Sequence, residues 1–380
     1  MNIKTIRKEI DLIDDQMLEL FARRMALGKT IGKMKEAQHI PIENSSRERE
    51  ILLKISRESG EELRSSAGIL FSMLFELNKS YQRSQCAECG TFAQKTVDAL
   101  HNTPELFPST AKVGCCGIAG AYAQLAADKI FQLADITYFN DFAGVFQAVE
   151  KNLCRYGILP IENSTSGTVD QVYDLMKDHK FHIVRSCRLR VRHALLLPPG
   201  AKISDIKEVI SHEQGLKQCA GFLKKLGNIR QTTAGNTAMA ARIVSESGRK
   251  DIAAIASPEC AGIYGLIPGA ENIQDKDSNY TRFICISRDM EIYPGASKIS
   301  IMGILPHKPG ALYKLLARFA VLGVNLTKLE SRPMGNGDFE YMFYFDFEAS
   351  MVNREVRQLI AELVTEGGKF SFLGNYTEIQ

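Results

Sequence analysis

The sequence predicts a multidomain chain: an all-α segment, then an α/β segment, then a smaller α+β segment. In the first, apolar residues recur at alternating spacings of three and four, as on a helix that packs along its length. In the second, short apolar strands alternate with helix starts. In the third, the order strand, helix, two strands, helix, strand is that of a ferredoxin-like plait. A length of 380 residues also favours two or three domains.

Composition argues against several classes of protein. The net charge is +3 and 24% of the residues are charged, so no nucleic acid partner is expected. The N-terminus lacks the order of a signal peptide and no apolar run approaches a membrane span, so we expect a cytoplasmic protein without membrane contact. The nine cysteines are then expected to be reduced thiols.

One CxxC motif raises the question of a metal site. Cys86 and Cys89 form it and His101 follows, but a structural zinc site needs four ligands and there is no second CxxC. We therefore expect no metal, and we interpret residues 86–110 as a polar linker.

A long first helix is predicted over residues 3–35, ending before Pro41. Its apolar stripe is interrupted once, by Arg24. The stripe consists of Ile3, Ile6, Ile10, Ile13, Met17, Leu20, Leu27, Ile31 and Met34.

Two shorter helices should follow. One is predicted to start near residue 47, where Ser45 and Glu48 have capping-box spacing, and the other to run from about Leu63 to Gln82. Helices of such unequal length leave much of the first one uncovered, so a monomer is not expected.

Polar residues on these helices fall into a pattern. Arg24 and Lys35 are close to three turns apart, so both point the same way, roughly 16 Å apart along the axis. Asn78 and Gln82 share a face of the third helix. A buried cation needs a partner, which is either a carboxylate such as Glu48 or an anionic ligand. The four polar groups together favour a ligand pocket.

Here the residues resemble the all-helical chorismate mutase family, whose members are intertwined dimers. The resemblance covers about residues 1–83 and rests on residues at positions that the family uses. These candidate binding residues are Arg7, Arg24, Lys35, Arg47, Glu48, Asn78 and Gln82.

The resemblance implies that Arg24, with Arg7 of the partner subunit, holds the two carboxylates of chorismate. On a straight helix Arg7 lies roughly 25 Å from Arg24 and about 100° around the axis, so it can join that pocket only from another chain. By the same resemblance Lys35 and Gln82 face the ether oxygen as catalytic groups, and Glu48 takes the hydroxyl. A Claisen rearrangement needs a compressed conformer and cations near the breaking ether rather than an acid or base.

Two positions depart from the family. Asn44 stands where an acidic residue is usual, and Asn78 where a hydroxyl residue is often found. Both belong to the outer contacts, so we expect activity with an altered Michaelis constant.

The middle segment, from about residue 110, repeats a strand followed by a helix start. Helix N-termini present free amide donors that bind carboxylates. The glycine spacing is not that of dinucleotide binding, so a nicotinamide enzyme is disfavoured and no cofactor is expected. The repeated strand-to-helix borders lie at Gly120, Asn163 to Gly167, Ser211 to Gln214, Thr237 and Ser257.

Three motifs of this segment, "LPIENSTSG", "ISHEQGLKQC" and "NYTRF", resemble the signatures of prephenate dehydratase over about residues 112–288. The resemblance implies a two-lobed α/β fold, like type 2 periplasmic binding proteins, with the site between the lobes. It makes Thr281 the catalytic candidate, nearest the departing ring hydroxyl, with a hydrogen-bonding role. Glu162 either ties the lobes together or touches substrate. The implied substrate-binding residues are Asn163, Ser164, Ser211, Gln214, Thr237 and Arg282.

This segment also departs from its family. Ala121 and Ala123 stand where hydroxyl residues are usual, which puts one substrate hydrogen bond in doubt. Asn236 replaces a common serine before Thr237.

The last segment should form the plait from Lys298 onward, with a turn at 335–337 and a second helix over about 353–366. The alternating aromatic residues from Phe339 to Phe347 are predicted to be core. "KPGAL" and "LESRP" resemble the effector motifs of ACT domains, which pair and bind phenylalanine at their interface. The alternative is a plait that only dimerises. The implied effector-binding residues are Gly310, Ala311, Leu312, Glu330, Ser331 and Arg332.

Together the resemblances imply a bifunctional enzyme that converts chorismate to prephenate and prephenate to phenylpyruvate, is inhibited by phenylalanine, and forms a dimer or tetramer. Two alternatives stay open: an arogenate dehydratase, and a two-lobed amino-acid sensor without catalysis. The predicted domains are 1–85 for the mutase, 86–110 for the linker, 111–290 for the dehydratase and 297–380 for the regulatory domain.

Overall fold

The computed structural model describes residues 2–83, 87–334, 340–365 and 369–380. It forms two compact units, one of Met1–Asp98 with Ile301–Phe372 and one of Ala99–Ser300 with Leu373–Gln380. The predicted domain limits stay predictions. Four predicted features lie outside the described residues: Cys86 with the Cys89 side chain, the turn at 335–337, Phe339 and Glu366.

No helix in the described part of the chain is both long and apolar enough to cross a membrane. Within that part, the structure also places no three His, Cys, Asp or Glu side chains together as a metal site.

The N-terminal segment is helical. Three predicted helices are confirmed with slightly longer bounds. A fourth helix occupies most of residues 86–110, so this segment is largely helical and not the polar linker that the sequence suggests. Phe92, Thr96 and Ala99 give the fourth helix an inward face at spacings of four and three, which its polar composition obscured. The helices are α1 (Ile3–Ala37), α2 (Ser45–Glu58), α3 (Gly60–Arg83) and α4 (Ala87–Asn102).

The start of α2 differs from the prediction in its capping residue. Asn44, not Ser45, is the N-cap, and its side chain accepts a hydrogen bond from the amide of Arg47 at 3.0 Å. Asparagine caps helices as well as serine does, so Ser45 becomes the first helical residue.

Helix α1 packs against α3 through two glycines, Gly28 and Gly32, which are its buried residues. The predicted apolar stripe lies on another side of α1. Every member of that stripe is at least 43% exposed in the single chain.

The second unit contains two sheets with helices packed on them. The first lobe of the chain supplies β1 (Thr110–Cys116), α5 (Tyr122–Ile130), β2 (Leu133–Phe139), α6 (Phe142–Glu150), β3 (Tyr156–Asn163), β4 (Gly167–Thr168), α7 (Asp170–Met176) and β5 (His182–Arg190). The second lobe supplies β6 (Ala194–Leu197), β7 (Glu208–Ser211), α8 (Glu213–Gln218), α9 (Ala220–Lys225), β8 (Arg230–Thr233), α10 (Thr237–Glu246), β9 (Ile252–Ala256), α11 (Glu259–Tyr264) and β10 (Ile267–Ala270). The chain then returns to the first sheet with β11 (Tyr280–Ser287).

Strand pairing places the middle segment's motifs at strand ends. In the first sheet β11 lies antiparallel between β3 and β5, and β1 and β2 extend the β3 side. The second sheet has the order β10-β6-β9-β7-β8. The predicted helix starts at Gly120, Ser211 to Gln214, Thr237 and Ser257 are confirmed, because α5, α8, α10 and α11 begin at or within two residues of them. The border predicted at Asn163 to Gly167 is wrong: this segment turns β3 into the antiparallel strand β4, and α7 begins only at Asp170.

The C-terminal segment has the predicted element order. Its strands pair in the order β13-β14-β12-β15, as in a ferredoxin-like plait. The aromatic strand is only partly core: Phe345 and Phe347 are buried, whereas Tyr341 is 41% exposed and Phe343 is half-buried. The elements are β12 (Lys298–Ile304), α12 (Ala311–Val321), β13 (Asn325–Pro333), β14 (Tyr341–Glu348), α13 (Arg354–Thr365) and β15 (Phe370–Ile379).

Candidate active sites

The first candidate site lies between α1 and α3, where Arg24 is half-buried. Its Nη1 donates to the carbonyl oxygen of Leu74 at 3.1 Å, and its guanidinium lies 5.7 Å from the centroid of the Phe75 ring. Burial lowers the pKa of Arg24 from its usual value. Among the described residues its partners are this carbonyl and this ring, so Glu48 does not neutralise its charge.

Two buried amides face the glycines of α1. A Cβ atom on Gly28 would lie 1.8 Å from Asn78 Oδ1, and one on Gly32 would lie 3.0 Å from Gln82 Cγ. The oxygens Asn78 Oδ1 and Gln82 Oε1 are both buried and accept no hydrogen bond from the described residues. Because buried polar atoms are nearly always paired, both oxygens are open to a hydrogen-bond donor that the described residues do not supply.

Three predicted cations differ in placement. Lys35 is half-buried and its Nζ donates to the carbonyl of Ile42 at 2.7 Å, on the same helical face as Arg24. The structure does not bring Arg47 into the group, because its side chain is 61% exposed and pairs with Glu50 at 2.6 Å. Arg7 is exposed on α1, consistent with a role outside its own chain's pocket.

Sequence reasoning missed Lys79, which is only 8% exposed. Its Nζ lies 3.2 Å from Glu48 and 2.8 Å from Glu76. Burial lowers the pKa of Lys79, but the two carboxylates outweigh burial and raise it above its usual value. The three-residue spacing from Glu76, on the helix that carries Asn78, was the available signal.

The second candidate site lies in the second unit, where β3 ends and β11 begins. Thr281 and Asn163 are directly paired across these strands. Asn163 Nδ2 donates to Thr281 Oγ1 at 2.9 Å, while Asn163 Oδ1 accepts from the amides of Thr165 and Ser166 at 3.0 and 2.9 Å. Oγ1 accepts this hydrogen bond, and no acceptor for the Thr281 hydroxyl proton is found in the described part of the chain, so the proton can be donated to a ligand.

A row of amides extends from Thr281 toward α8. Asn163 Nδ2 donates to Asn279 Oδ1 at 2.9 Å, and Asn279 Nδ2 donates to Gln218 Oε1 at 3.0 Å. His193 Nε2 also lies 2.9 Å from Gln218 Oε1, and burial lowers the pKa of His193, which favours the neutral ring. Sequence reasoning missed Gln218, although it lies one helical turn after Gln214 in the same motif.

The predicted residues of the second lobe come together around Gly215. A Cβ atom there would lie 2.5 Å from Ser211 Oγ and 3.5 Å from Thr237 Cγ2. Ser211 is buried and its hydroxyl donates to the carbonyl of Ile255 at 2.6 Å, so its proton is already used. Gln214 is exposed and Thr237, the first residue of α10, is half-buried.

Two further predicted residues have structural contacts. Ser164 Oγ donates to the carbonyl of Ser278 and accepts from the amide of Tyr280, both at 2.9 Å, and so holds the start of β11. The structure does not bring Arg282 beside the Thr281 hydroxyl. Arg282 is 6% exposed, and its Nε lies 2.8 Å from Glu378 Oε2.

Two of the predicted effector residues line a cavity of about 380 Å³ in the first unit. Ala311, Leu312 and Phe343 line it, and Gly310 starts α12 with a positive φ of 78°. Ser331 is paired with Phe343 across β13 and β14. Glu330 and Arg332 flank it on β13, the edge strand of this sheet.

Comparison with known proteins identifies both parts of the chain. Residues 6–83 match the family model for chorismate mutase type II, and residues 113–291 match that for prephenate dehydratase. Arogenate dehydratase/prephenate dehydratase 1 of Arabidopsis thaliana is 42% identical over 285 residues, 70% of this chain and 72% of that protein.

Prephenate dehydratase from Arthrobacter aurescens, solved in complex with L-Phe, superposes with a TM-score of 0.63 at 29% identity. That match covers 70% of this chain and 90% of the solved one. The bifunctional chorismate mutase/prephenate dehydratase of Aquifex aeolicus is 32% identical over 382 residues, covering 98% of this chain and 97% of that protein. A similarity of that extent spans both catalytic segments and the C-terminal plait, and the chain therefore belongs to the family of bifunctional chorismate mutase/prephenate dehydratases.

Proposed function

We propose that the two activities of this family are divided between the two candidate sites. The α1–α3 site isomerises chorismate to prephenate, and the site where β3 ends and β11 begins converts prephenate to phenylpyruvate with loss of carbon dioxide and water. The observation that carries the first assignment is the half-buried Arg24, whose charge no carboxylate of the described residues neutralises. The Thr281 hydroxyl, which Asn163 orients and for which no acceptor is found among the described residues, carries the second.

At the mutase site, catalysis requires that the substrate is held in a compressed conformer and that cations lie near the breaking ether bond. Arg24 and Lys35 supply two positive charges on one side of α1. The two substrate carboxylates are negative, and the ether oxygen gains negative charge as its bond breaks. The side-chain NH2 group of Gln82 can donate to the ether oxygen and that of Asn78 to the ring hydroxyl oxygen, while their carbonyl oxygens can only accept. Cations fixed in a half-buried pocket stabilise charge that develops in the transition state without having to reorganise.

Lys79 supports a more specific role for Glu48. The ion pair of Glu48 with Lys79 holds it toward α3, from where a carboxylate oxygen can accept the substrate hydroxyl proton as a hydrogen bond. Such a contact aligns the ring rather than transferring a proton.

We further propose that this site is completed by a second copy of the chain. The exposed apolar stripe of α1 is a contiguous surface of the kind that monomeric proteins rarely leave in water. A two-fold pairing of α1 along this stripe would bury it and bring Arg7 of the partner subunit to the pocket.

At the dehydratase site, aromatisation drives the reaction, so the protein mainly assists departure of the ring hydroxyl. Asn163 orients Thr281 so that its O–H can donate to the leaving oxygen. The neighbouring groups are the amides of Asn279 and Gln218, which cannot deliver a proton. This supports a hydrogen-bonding role for Thr281 rather than a proton relay.

Substrate carboxylates can be held from the second lobe. Thr237 begins the ten-residue helix α10. Its N-cap Asn236 accepts from the Met239 amide, so the two preceding amides of the helix and the positive dipole end remain to favour an anion. The exposed side-chain amide of Gln214 lies in the first turn of the neighbouring helix α8. Ser211 contributes by fixing the loop, since its hydroxyl is already bonded to a carbonyl.

Phenylalanine is the proposed effector, bound by the C-terminal plait acting as an ACT domain. The cavity beside Ala311 and Leu312 offers apolar walls for an aromatic side chain. The motif Glu330–Arg332 lies on an edge strand, which can pair with a second plait. The L-Phe complex of the Arthrobacter aurescens relative supports the choice of ligand.

One assay tests the proposed function. Purified protein given chorismate should form prephenate and then phenylpyruvate, and added phenylalanine should slow the second step. Formation of phenylalanine from arogenate without phenylpyruvate from prephenate would select the arogenate alternative. If neither product formed while phenylalanine still bound, the chain would be a sensor without catalysis.

A glycine substitution should test the geometry of the mutase site. In Gly28→Ala the new methyl group meets Asn78 Oδ1, the end of a flexible side chain, so Asn78 should be displaced while the fold is kept. We expect mutase kcat/KM to fall about tenfold, the cost of one hydrogen bond to a charged ligand, with unchanged dehydratase activity.

Gly68→Ala is the matched control, because this glycine is in helix α3 and no other atom lies within 4 Å of the added Cβ. It should raise the free energy of unfolding by about 0.5–1 kcal/mol and leave both activities unchanged. Equal mutase activity in the two variants would contradict the proposed place of Asn78.

A further inference from the structure

A buried ionic cluster lies directly behind Thr281. Successive strand residues point to opposite faces of a sheet, so Arg282 points away from Thr281. Its Nη2 donates to the hydroxyl of Tyr376 at 2.7 Å, and its Nε lies 2.8 Å from Glu378 Oε2. The Nε–H bond is not aimed at that oxygen, so the second contact is an ion pair rather than a hydrogen bond.

Glu378 is the acidic centre of this cluster. Its carboxylate lies 2.8 Å from Arg282, 2.9 Å from Arg188 and 3.1 Å from Lys298. Burial raises the pKa of Glu378, but Arg282, Lys298 and Arg188 together outweigh burial and lower it. The carboxylate is therefore ionised. Removing its charge would leave the three neighbouring cations without this anionic partner.

The last strand of the chain supplies this carboxylate. Residues Thr377–Ile379 of β15 pair in parallel with Arg185–Cys187 of β5, which in turn pairs with β11. Tyr376, two residues before Glu378, is 1% exposed, and its hydroxyl lies 2.7 Å from Ser300 Oγ. Two side chains on one face of β15 thus hold one guanidinium.

The strand that carries Thr281 depends on such an anchor. The register between β11 and β3 shifts after Arg282, because β3 has an extra residue there, Ile161. The shift lies next to the pair formed by Thr281 and Asn163. On its other side, β11 keeps a regular register with β5 from Tyr280 to Cys285. Because the ladder with β3 is interrupted beside Thr281, the position of Thr281 depends on how β11 is held through Arg282.

We propose that Glu378 is a positioning residue for the dehydratase reaction: by fixing Arg282, it holds the Thr281 hydroxyl in line with the leaving oxygen. This inference rests on the proposed function. It makes the C-terminal strand part of the dehydratase machinery, although that strand belongs to the segment proposed to bind the effector.

A purely structural role makes a different prediction. If the cluster only stabilised the fold, its loss would lower the fraction of folded protein, and kcat per folded chain would not change. A positioning role lowers dehydratase kcat in protein that is fully folded. The mutase activity of the same chain provides an internal reference for the amount of active protein.

The first test is Glu378→Gln in the full chain. Glutamine keeps the shape and one acceptor but removes the charge. We expect dehydratase kcat to fall about 10²-fold, as misplacement of a reacting group by about 1 Å can cause, with little change in KM and wild-type mutase activity. Glu348→Gln is the control, since Glu348 is an exposed residue at the end of β14 and bonds only to Asn325 among the described residues.

The second test asks whether the residues act as a unit. The double variant Glu378→Gln, Arg282→Gln should lose no more dehydratase kcat than the more impaired single variant. Losses that multiply would overturn the inference. Glu378→Asp, which keeps the charge, should retain more activity than Glu378→Gln.

Tyr376→Phe covers the case in which Glu378→Gln does not fold. It removes one hydroxyl that receives the Arg282 bond, and it should lower dehydratase kcat about tenfold, in line with one hydrogen bond to a charged group. If Tyr376→Phe and Glu378→Gln both folded and kept wild-type dehydratase kcat, this inference would be overturned and the proposed function would stand. Equal losses of mutase and dehydratase activity would have the same meaning. Absence of phenylpyruvate with the wild-type chain would instead overturn the proposed function.

Discussion

Replacing Thr281 by alanine is expected to abolish the dehydratase step and leave the mutase step intact. The hydroxyl accepts from Asn163 Nδ2 at 2.9 Å and has its own proton available for the leaving oxygen. A positioned donor of this kind contributes about 10²–10⁴-fold to a rate, so dehydratase kcat should fall by that factor. Phenylpyruvate formation from prephenate and prephenate formation from chorismate should be measured on the same preparation.

Two further variants serve as a conservative replacement and as a control. Thr281→Ser keeps the hydroxyl and should retain much of the activity, although the more mobile side chain lowers kcat. Thr110→Ala makes the same change at an exposed residue that begins β1, and both activities should be unaffected. Wild-type dehydratase activity in Thr281→Ala would show that the hydroxyl plays no part in the reaction.

Replacing Arg24 by alanine should have the opposite effect: loss of mutase activity with an unchanged dehydratase. Its guanidinium is half-buried against Leu74 and Phe75 and pairs with no carboxylate of the described residues. Loss of a charge-assisted contact to a substrate carboxylate costs about 2–5 kcal/mol, so mutase kcat/KM should drop by roughly two to three orders of magnitude. Arg24→Lys should also be impaired, because an ammonium cannot reproduce the planar fork.

Mixed dimers of two variants can test whether Arg24 of one chain and Arg7 of the partner subunit form one site. Arg7→Ala and Arg24→Ala should each be inactive as mutases, since every site of either homodimer lacks one arginine. A mixed dimer has one site with Arg24 and with Arg7 of the partner subunit, so co-refolded chains should regain activity that neither has alone. Arg23→Ala, at the exposed neighbouring position, is the control. No recovery in confirmed mixed dimers would exclude a site shared between chains.

The element order could be predicted because each segment has its own apolar period. Apolar residues at alternating spacings of three and four predict α1, and the succession of short strands and helix starts predicts the elements of the second unit. The helix α4 was missed because only Phe92, Thr96 and Ala99 mark its inner face within a polar sequence. In this segment the spacing of these residues indicates the helix, whereas the polar composition suggests a linker.

The sequence predicts which residues lie near the dehydratase site better than it predicts where their side chains point. Thr281 and Asn163 meet as expected, because their strands are paired. Arg282 and Ser211 point elsewhere, Arg282 because neighbouring strand residues alternate in direction and Ser211 because a buried hydroxyl needs a nearby acceptor. Strand alternation was readable in the sequence, whereas the acceptor, the carbonyl of Ile255, depends on a tertiary contact.

The contact of Gly28 and Gly32 with α3 has a consequence for engineering the mutase. At these two positions α1 presents bare backbone, and the Asn78 and Gln82 side chains of α3 lie against it. No α1 side chain can be shortened there to widen the pocket, so next to the glycines its volume is adjustable only at Asn78 and Gln82, while the pocket's cations on α1 are kept for their charges. A library intended to change substrate preference should therefore vary α3 and keep both glycines.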